Sequence, residues 1–155
     1  MSSFLDTGRF HVDAYGVEFT AFGVPQPGGS KQIVGGRNGR ARVIEDNTDV
    51  YAWRQNIAQV ARVLMAHRAP FEGPLRLSVI FYMPRPKSHI GKRGVFPGAP
   101  KYPSVRPDTT KLLRALEDAL NGIVWKDDAQ VVDQAAQKRY TPDDPRAEVA
   151  VSVKV

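Results

Sequence analysis

The stretch 106–130, RPDTTKLLRALEDALNGIVWKDDAQ, decides how the rest of the chain is read. Pro107 disfavours helix at Arg106. Asp108 is a good N-cap, with a carboxylate able to accept the free amides of a first turn. Leu112, Leu113, Leu116, Ala119 and Leu120 recur at helical spacing, and Lys111, Arg114, Glu117 and Asp118 fall away from that stripe. Asn121-Gly122 is a helix stop, so the spacing predicts a helix over 109–121. Beyond it come an apolar run (Ile123-Val124-Trp125), a polar turn (Lys126-Asp127-Asp128) and the start of a strand at Gln130-Val131-Val132. Such a helix rises roughly 20 Å. Asp108 and the Asp127-Asp128 pair therefore meet only if the chain doubles back.

Each acid has a plain structural reading. Asp108 alone is a cap, and Asp-Asp in a turn bonds its own backbone. The positive charge around them supports a second reading. Carboxylates inside a basic surface can hold a hard cation such as magnesium against a phosphodiester, because that ion takes oxygen ligands and keeps waters.

The 155 residues, 42% of them hydrophobic, suffice for one domain with a real core. A net charge of +6 favours an acidic partner, nucleic acid or an anionic membrane surface. The chain has no cysteine, so disulfides and thiolate metal sites are excluded. His11, His67 and His89 stand far apart and offer no zinc spacing. Residues 1–16 lack a basic end followed by an apolar run and read as a tail, neither leader nor membrane span, which suggests a cytoplasmic protein.

The domain is expected over 17–155. Residues 17–23 alternate as a first strand and enter a Gly/Pro-rich loop, 23–31. That loop lacks a P-loop ending, but its glycine amides and Lys31 could hold a DNA phosphate. Short strands at 31–34 and 41–45 flank an Asn-Gly hairpin turn. A long helix follows to about Ala69, its apolar face drawn mainly from Tyr51, Ile57, Val60, Ala61, Leu64 and Met65. Tyr51 and Trp53 read as core before they read as base-stacking groups. Residues 75–83 alternate and then run continuously apolar, as in a central strand, and 130–140 and 147–155 give two more. Asp143-Asp144, between prolines, reads as turn chemistry. The architecture is then α+β, a mixed sheet carrying two principal helices.

Residues 85–106 carry Arg85, Lys87, Lys92, Arg93, Lys101 and Arg106 and no acid. So long a loop is unusual in a compact domain. It reads either as an unstructured surface excursion or as a DNA-binding arm, since clustered Lys and Arg release phosphate counterions. Phe96 or Tyr102 would wedge or stack at an opened junction, or simply pack the loop down.

The run Asp108-Thr-Thr-Lys-Leu-Leu-Arg, then Asp118-Ala-Leu-Asn-Gly, then Val124-Trp-Lys-Asp-Asp-Ala-Gln-Val-Val-Asp133, resembles the core of the RusA family of Holliday junction resolvases. The family pattern is D-x-D-N/K-L-x-K, a DAL helix and a DDxQV turn. The resemblance implies a magnesium-dependent endonuclease, with manganese as a substitute, that nicks four-way or branched DNA as a homodimer with no membrane role. It implies Asp108 and Asp128 as metal ligands, Asp127 as a neighbouring ligand, and Arg114 or Lys111 as the assisting cation. Lys31 and the cations of 85–106 are the DNA contacts expected from their charge, apart from the resemblance. The pattern is broken at Thr110, where the family has its second carboxylate. A neutral hydroxyl there raises an alternative, a chain that binds branched DNA but cuts it poorly or not at all.

Overall fold

The computed structural model describes residues 9–29, 31–35, 41–45 and 49–155. A five-stranded mixed sheet is built from β1 (Phe10–Asp13), β2 (Gly16–Phe22), β5 (Leu75–Pro84), β8 (Val131–Thr141) and β9 (Arg146–Val153), in the order β1-β2-β9-β5-β8. β3 (Lys31–Gly35) and β4 (Ala41–Glu45) form a separate antiparallel hairpin, and β6 (Ile90–Gly91) and β7 (Gly94–Val95) a miniature one. The hairpin turn 36–40 lies outside the described residues. The chain enters the sheet at Phe10, earlier than Val17, because β1 pairs with β2 across a tight turn in which Asp13 accepts from the amides of Tyr15 and Gly16.

All sheet pairings are antiparallel except β5 with β8. Parallel neighbours need a crossover. The chain makes it through the loop 85–106 and the helix α2 (Thr109–Leu120). β5 keeps strict alternation, burying Leu75, Leu77, Val79, Phe81 and Met83 and turning Arg76, Ser78, Ile80 and Tyr82 to the other face.

The other helix, α1 (Asp49–Met65), buries Val50, Trp53, Ile57, Ala58, Ala61 and Met65. This stripe differs from the sequence expectation. Trp53 faces inward as expected and Val50 joins it, but Tyr51, expected in the core, is 53% exposed beneath the Arg54 guanidinium. α1 also stops four residues short of Ala69, at Ala66, whose φ of 48° leaves the helical region.

α2 buries Leu112, Ala115, Leu116, Ala119 and Leu120, the predicted stripe with Ala115 in place of Leu113. These join Phe19, Ile57, Phe81 and the fully buried Trp125 in one core. An Arg54–Asp118 ion pair at 3.6 Å ties the two helices at their surface. β8 runs beneath α2. Gln134 Nε2 donates to Glu117 Oε1 at 2.6 Å, and Lys138 Nζ reaches the carbonyls of Val105 and Pro107 at 2.8 and 2.9 Å. Early β8 thus lies at the C-terminal half of α2 and late β8 at its entrance.

Candidate functional site

Asp108 is the N-cap of α2, with extended backbone, and its main-chain carbonyl accepts from Lys111 and Leu112 at 3.1 Å. Its side chain makes no capping hydrogen bond. The plain reading of this acid fails at that point: the carboxylate is exposed and does not serve the helix it begins. It lines a cleft of about 580 Å³ together with Arg106, Lys111 and Lys138, walled by prolines and Tyr140.

The loop after β2 closes one side of this cleft. Gly28 donates its amide to the Lys111 carbonyl at 2.9 Å and lies against α2, where an added Cβ would stand 3.1 Å from Ala115. The expectation that these glycine amides hold a phosphate is therefore corrected at Gly28, whose amide is engaged within the fold. Gly29, at φ +82°, lies beneath the Arg114 side chain. Arg114 is exposed one turn further along the helix, and Thr110 is exposed in the first turn. Lys31 begins β3; its side chain lies outside the described residues.

The other acids stand at the opposite end of α2. Asp127 opens a short 3₁₀ turn, accepting from the Ala129 amide at 2.8 Å, and Gln130 Oε1 returns to the amides of Lys126 and Asp127 at 2.9 and 3.1 Å. This is a capping box. Gln130 Nε2 then donates to the carbonyls of Phe71 and Gly73, fastening the turn to the segment before β5. Asp128 Oδ1 accepts from the buried Trp125 indole at 2.8 Å and from Asn121 Nδ2 at 2.9 Å. Asn121 is the C-cap of α2.

Twelve helical residues at about 1.5 Å each therefore separate the neighbourhood of Asp108 from that of Asp128, roughly 18 Å. The chain does not double back far enough to join them. Among the described residues no three acidic or histidine side chains are grouped to hold a metal ion. The oxygen chemistry of Asp108, Asp127 and Asp128 suits a hard cation, but one chain does not gather them.

Several residues near these acids were not singled out by sequence reasoning. Glu117 faces Asp128. Burial pushes its carboxyl above the usual carboxylate range, Gln134 opposes this, and the negative charges of Asp128 and Asp118 add to the rise. Asn121 and Gln130 are the turn's ligands, and Lys138 is the brace of the loop before Asp108. Asn-Gly and D-D-x-Q carried the local signal for the first two. Lys138 had none, because its partners lie 31 and 33 residues away.

The basic loop is more ordered than a solvated excursion. Arg85 donates to the Pro100 carbonyl at 2.8 Å and lies 4.5 Å over the Tyr140 ring, and His89 meets that ring edge-on at 5.6 Å. Phe96 packs against Gly91, and Lys101 sits 5.6 Å over Tyr102. The loop is pinned to the end of β8, with Lys87, Lys92, Arg93, Lys101 and Arg106 left on its surface. Arg106 precedes a cis Pro107.

No helix among the described residues is long and apolar enough to cross a membrane. Residues 24–152 match the family of the endodeoxyribonuclease RusA, whose nucleases are metal-dependent. The chain is also 33% identical over 144 residues to the Bacillus subtilis (strain 168) protein described as uncharacterized protein YqaN, covering 87% of this chain and 94% of that one. Asp108, the helix it opens and the D-D-x-Q turn beyond it all fall within the matched region, and the chain belongs to the RusA endodeoxyribonuclease family.

Proposed function

We propose that this chain is a magnesium-dependent endonuclease that nicks four-way or other branched DNA, working as a homodimer. The observation that carries the reading is Asp108. Its carboxylate is exposed at a helix entrance, makes no capping bond and lines one cleft with Lys111, Arg106 and Lys138. A carboxylate in that setting suits a cation that a phosphodiester also meets. The cation supplies charge neutralisation and an activated water. Lys111 and Arg106 supply fixed positive charge for the phosphate, and Arg114 lies one turn beyond.

The separation of Asp108 from Asp128 supports the homodimer. β8 is the last strand of the sheet, and no described strand pairs with its outer edge. An open eleven-residue edge is a template for another chain. Antiparallel pairing of two β8 strands across a two-fold near Ala135 would set Lys138 of each beside the partner's Val132. Lys138 braces the loop before Asp108, and Val132 follows the Asp127-Asp128 turn. The pairing therefore carries Asp108 of one subunit toward the partner's Asp128, and does so twice, which fits paired nicks in a two-fold symmetric junction.

Thr110 favours one second reading, a chain that binds branched DNA without efficient cleavage. It is exposed in the first turn of α2, so a carboxylate there would stand beside Asp108. The test is nicking of a synthetic four-way junction in magnesium by the chain, Thr110→Asp and Asp108→Asn. Nicking by the chain that Asp108→Asn abolishes supports the nuclease. Junction binding with nicking only after Thr110→Asp supports the second reading.

A further inference from the structure

The geometry points to a base-receiving pocket beside Asp108: the proline-walled cleft takes one unstacked nucleobase of the branched DNA next to the phosphate that is cut. This rests on the nuclease reading and adds a source of base preference to it.

Four features of the cleft carry the inference. Its volume, about 580 Å³, lies within the ordinary range for small-ligand pockets, roughly 300–1,000 Å³. That is room for a single base, not for a stacked duplex. Its walls are apolar and stiff. Pro25, Pro27, Pro84, Pro86, Pro103 and Pro107 line it, and proline rings fix their own backbone and bring no amide donor. The cleft is thus formed before any ligand arrives.

Tyr140 adds an aromatic wall whose place is fixed from outside. The Arg85 guanidinium lies over the ring, and the His89 ring stands perpendicular to it with centroids 5.6 Å apart. The Tyr140 hydroxyl makes no hydrogen bond among the described residues, which leaves a donor and acceptor for a base edge. Stacking on aromatic faces and hydrogen bonding to exposed base edges is how proteins read unpaired nucleotides.

The charge around the cleft selects nucleic acid over an apolar peptide. Arg106 and Lys111 line it with no ion pair among the described residues, and Lys138 adds a third positive charge against the single carboxylate of Asp108. A base in the cleft has its two flanking phosphates at the rim, where these cations stand. Four-way junctions are suitable donors, because in their open form, adopted without a divalent cation, pairs at the crossover have lost one stacking neighbour and cost less to extrude.

The test places 2-aminopurine at each crossover position of a four-way junction in turn and reads its fluorescence, at saturating protein and without a divalent cation, so that nothing is cut. The wild-type chain is expected to raise the signal at one position above that of the free junction, because the base leaves the stack. Val105→Trp fills the mouth of the cleft and is expected to abolish the rise. Val63→Trp, on the exposed side of α1, is expected to keep it. Junction binding with no rise at any position, or a rise that survives Val105→Trp, overturns the pocket and leaves the cleft to another ligand such as an apolar peptide segment. If the wild-type chain does not bind the junction, the nuclease reading falls and the pocket falls with it.

Discussion

The buried Trp125 indole donates to Asp128 Oδ1 at 2.8 Å, so the acid that the family pattern makes a metal ligand is also a structural acceptor for the core. Its Oδ2 accepts no hydrogen bond among the described residues. The two roles separate by substitution. Asp128→Asn keeps an oxygen for the indole and is expected to stay within about 1 kcal/mol of the parent in urea unfolding while losing nicking. Asp128→Ala strands the indole and is expected to lose about 2 kcal/mol, the usual range for an unsatisfied buried donor.

Gly28→Ala tests whether the loop after β2 shapes the cleft by lying on α2. The new Cβ meets Ala115 backbone and side-chain atoms at 3.1 Å, and the helix backbone has little freedom to yield. A loss of about 1–3 kcal/mol is expected, the usual cost of overpacking, read as a lower urea midpoint at unchanged slope. An unchanged midpoint would mean that the loop lifts off α2 without cost.

Glu117 predicts a pH dependence. Its folded pKa is raised, chiefly by burial, so the stability it contributes is fully present below the ordinary glutamate value and is lost as pH rises through the raised one. Glu117→Gln keeps an oxygen for Gln134 and removes the charge beside Asp128. The variant is expected to be more stable than the parent at pH 7, by no more than about 1 kcal/mol because the side chain is only half-buried. The difference should vanish below the carboxylate range. Thermal unfolding at pH 7 and pH 4 measures it, and a larger gain at pH 4 would contradict the sign.

Lys92 and Arg93 form the exposed tip between β6 and β7 and make no ion pair among the described residues. As phosphate contacts they contribute counterion release, about 0.9 to the salt slope for each phosphate. Replacing both with Ala is expected to lower the slope of log affinity against log salt by roughly 1.8, without changing which branched DNA is preferred. An unchanged slope would leave the tip without a DNA role.

The fold was legible where one period dominates. The stripe of α2 and the alternation of β5 and β9 each match one template, and two helices on a mixed sheet follow from their order. The face of α1 was harder to assign, because Tyr51 and Trp53 are both aromatic and only packing turns Trp53 inward. β1 was read as tail because four residues with one partner carry almost no pattern of their own. The acids were found individually, since caps and turns have local signatures. Their separation was visible only as a helix length, and what lies across that length depends on strand order. Lys138 shows the limit most clearly: its bonds to Val105 and Pro107 are long-range, and nothing near it in sequence marks them.

The claim that Asp108 and Asp128 act together only across two subunits is tested most directly by mixing. Asp108→Asn and Asp128→Asn chains are each expected to be inactive on a four-way junction in magnesium. Co-refolded in equal amounts, they form mixed dimers in which one of the two sites joins an intact Asp108 with the partner's intact Asp128. Nicking should return to roughly a quarter of the wild-type level, half the dimers carrying one site each, and mainly as single nicks. If the mixture stays inactive while the mixed dimer forms, the two acids must come from the same chain, and the cross-subunit site is wrong.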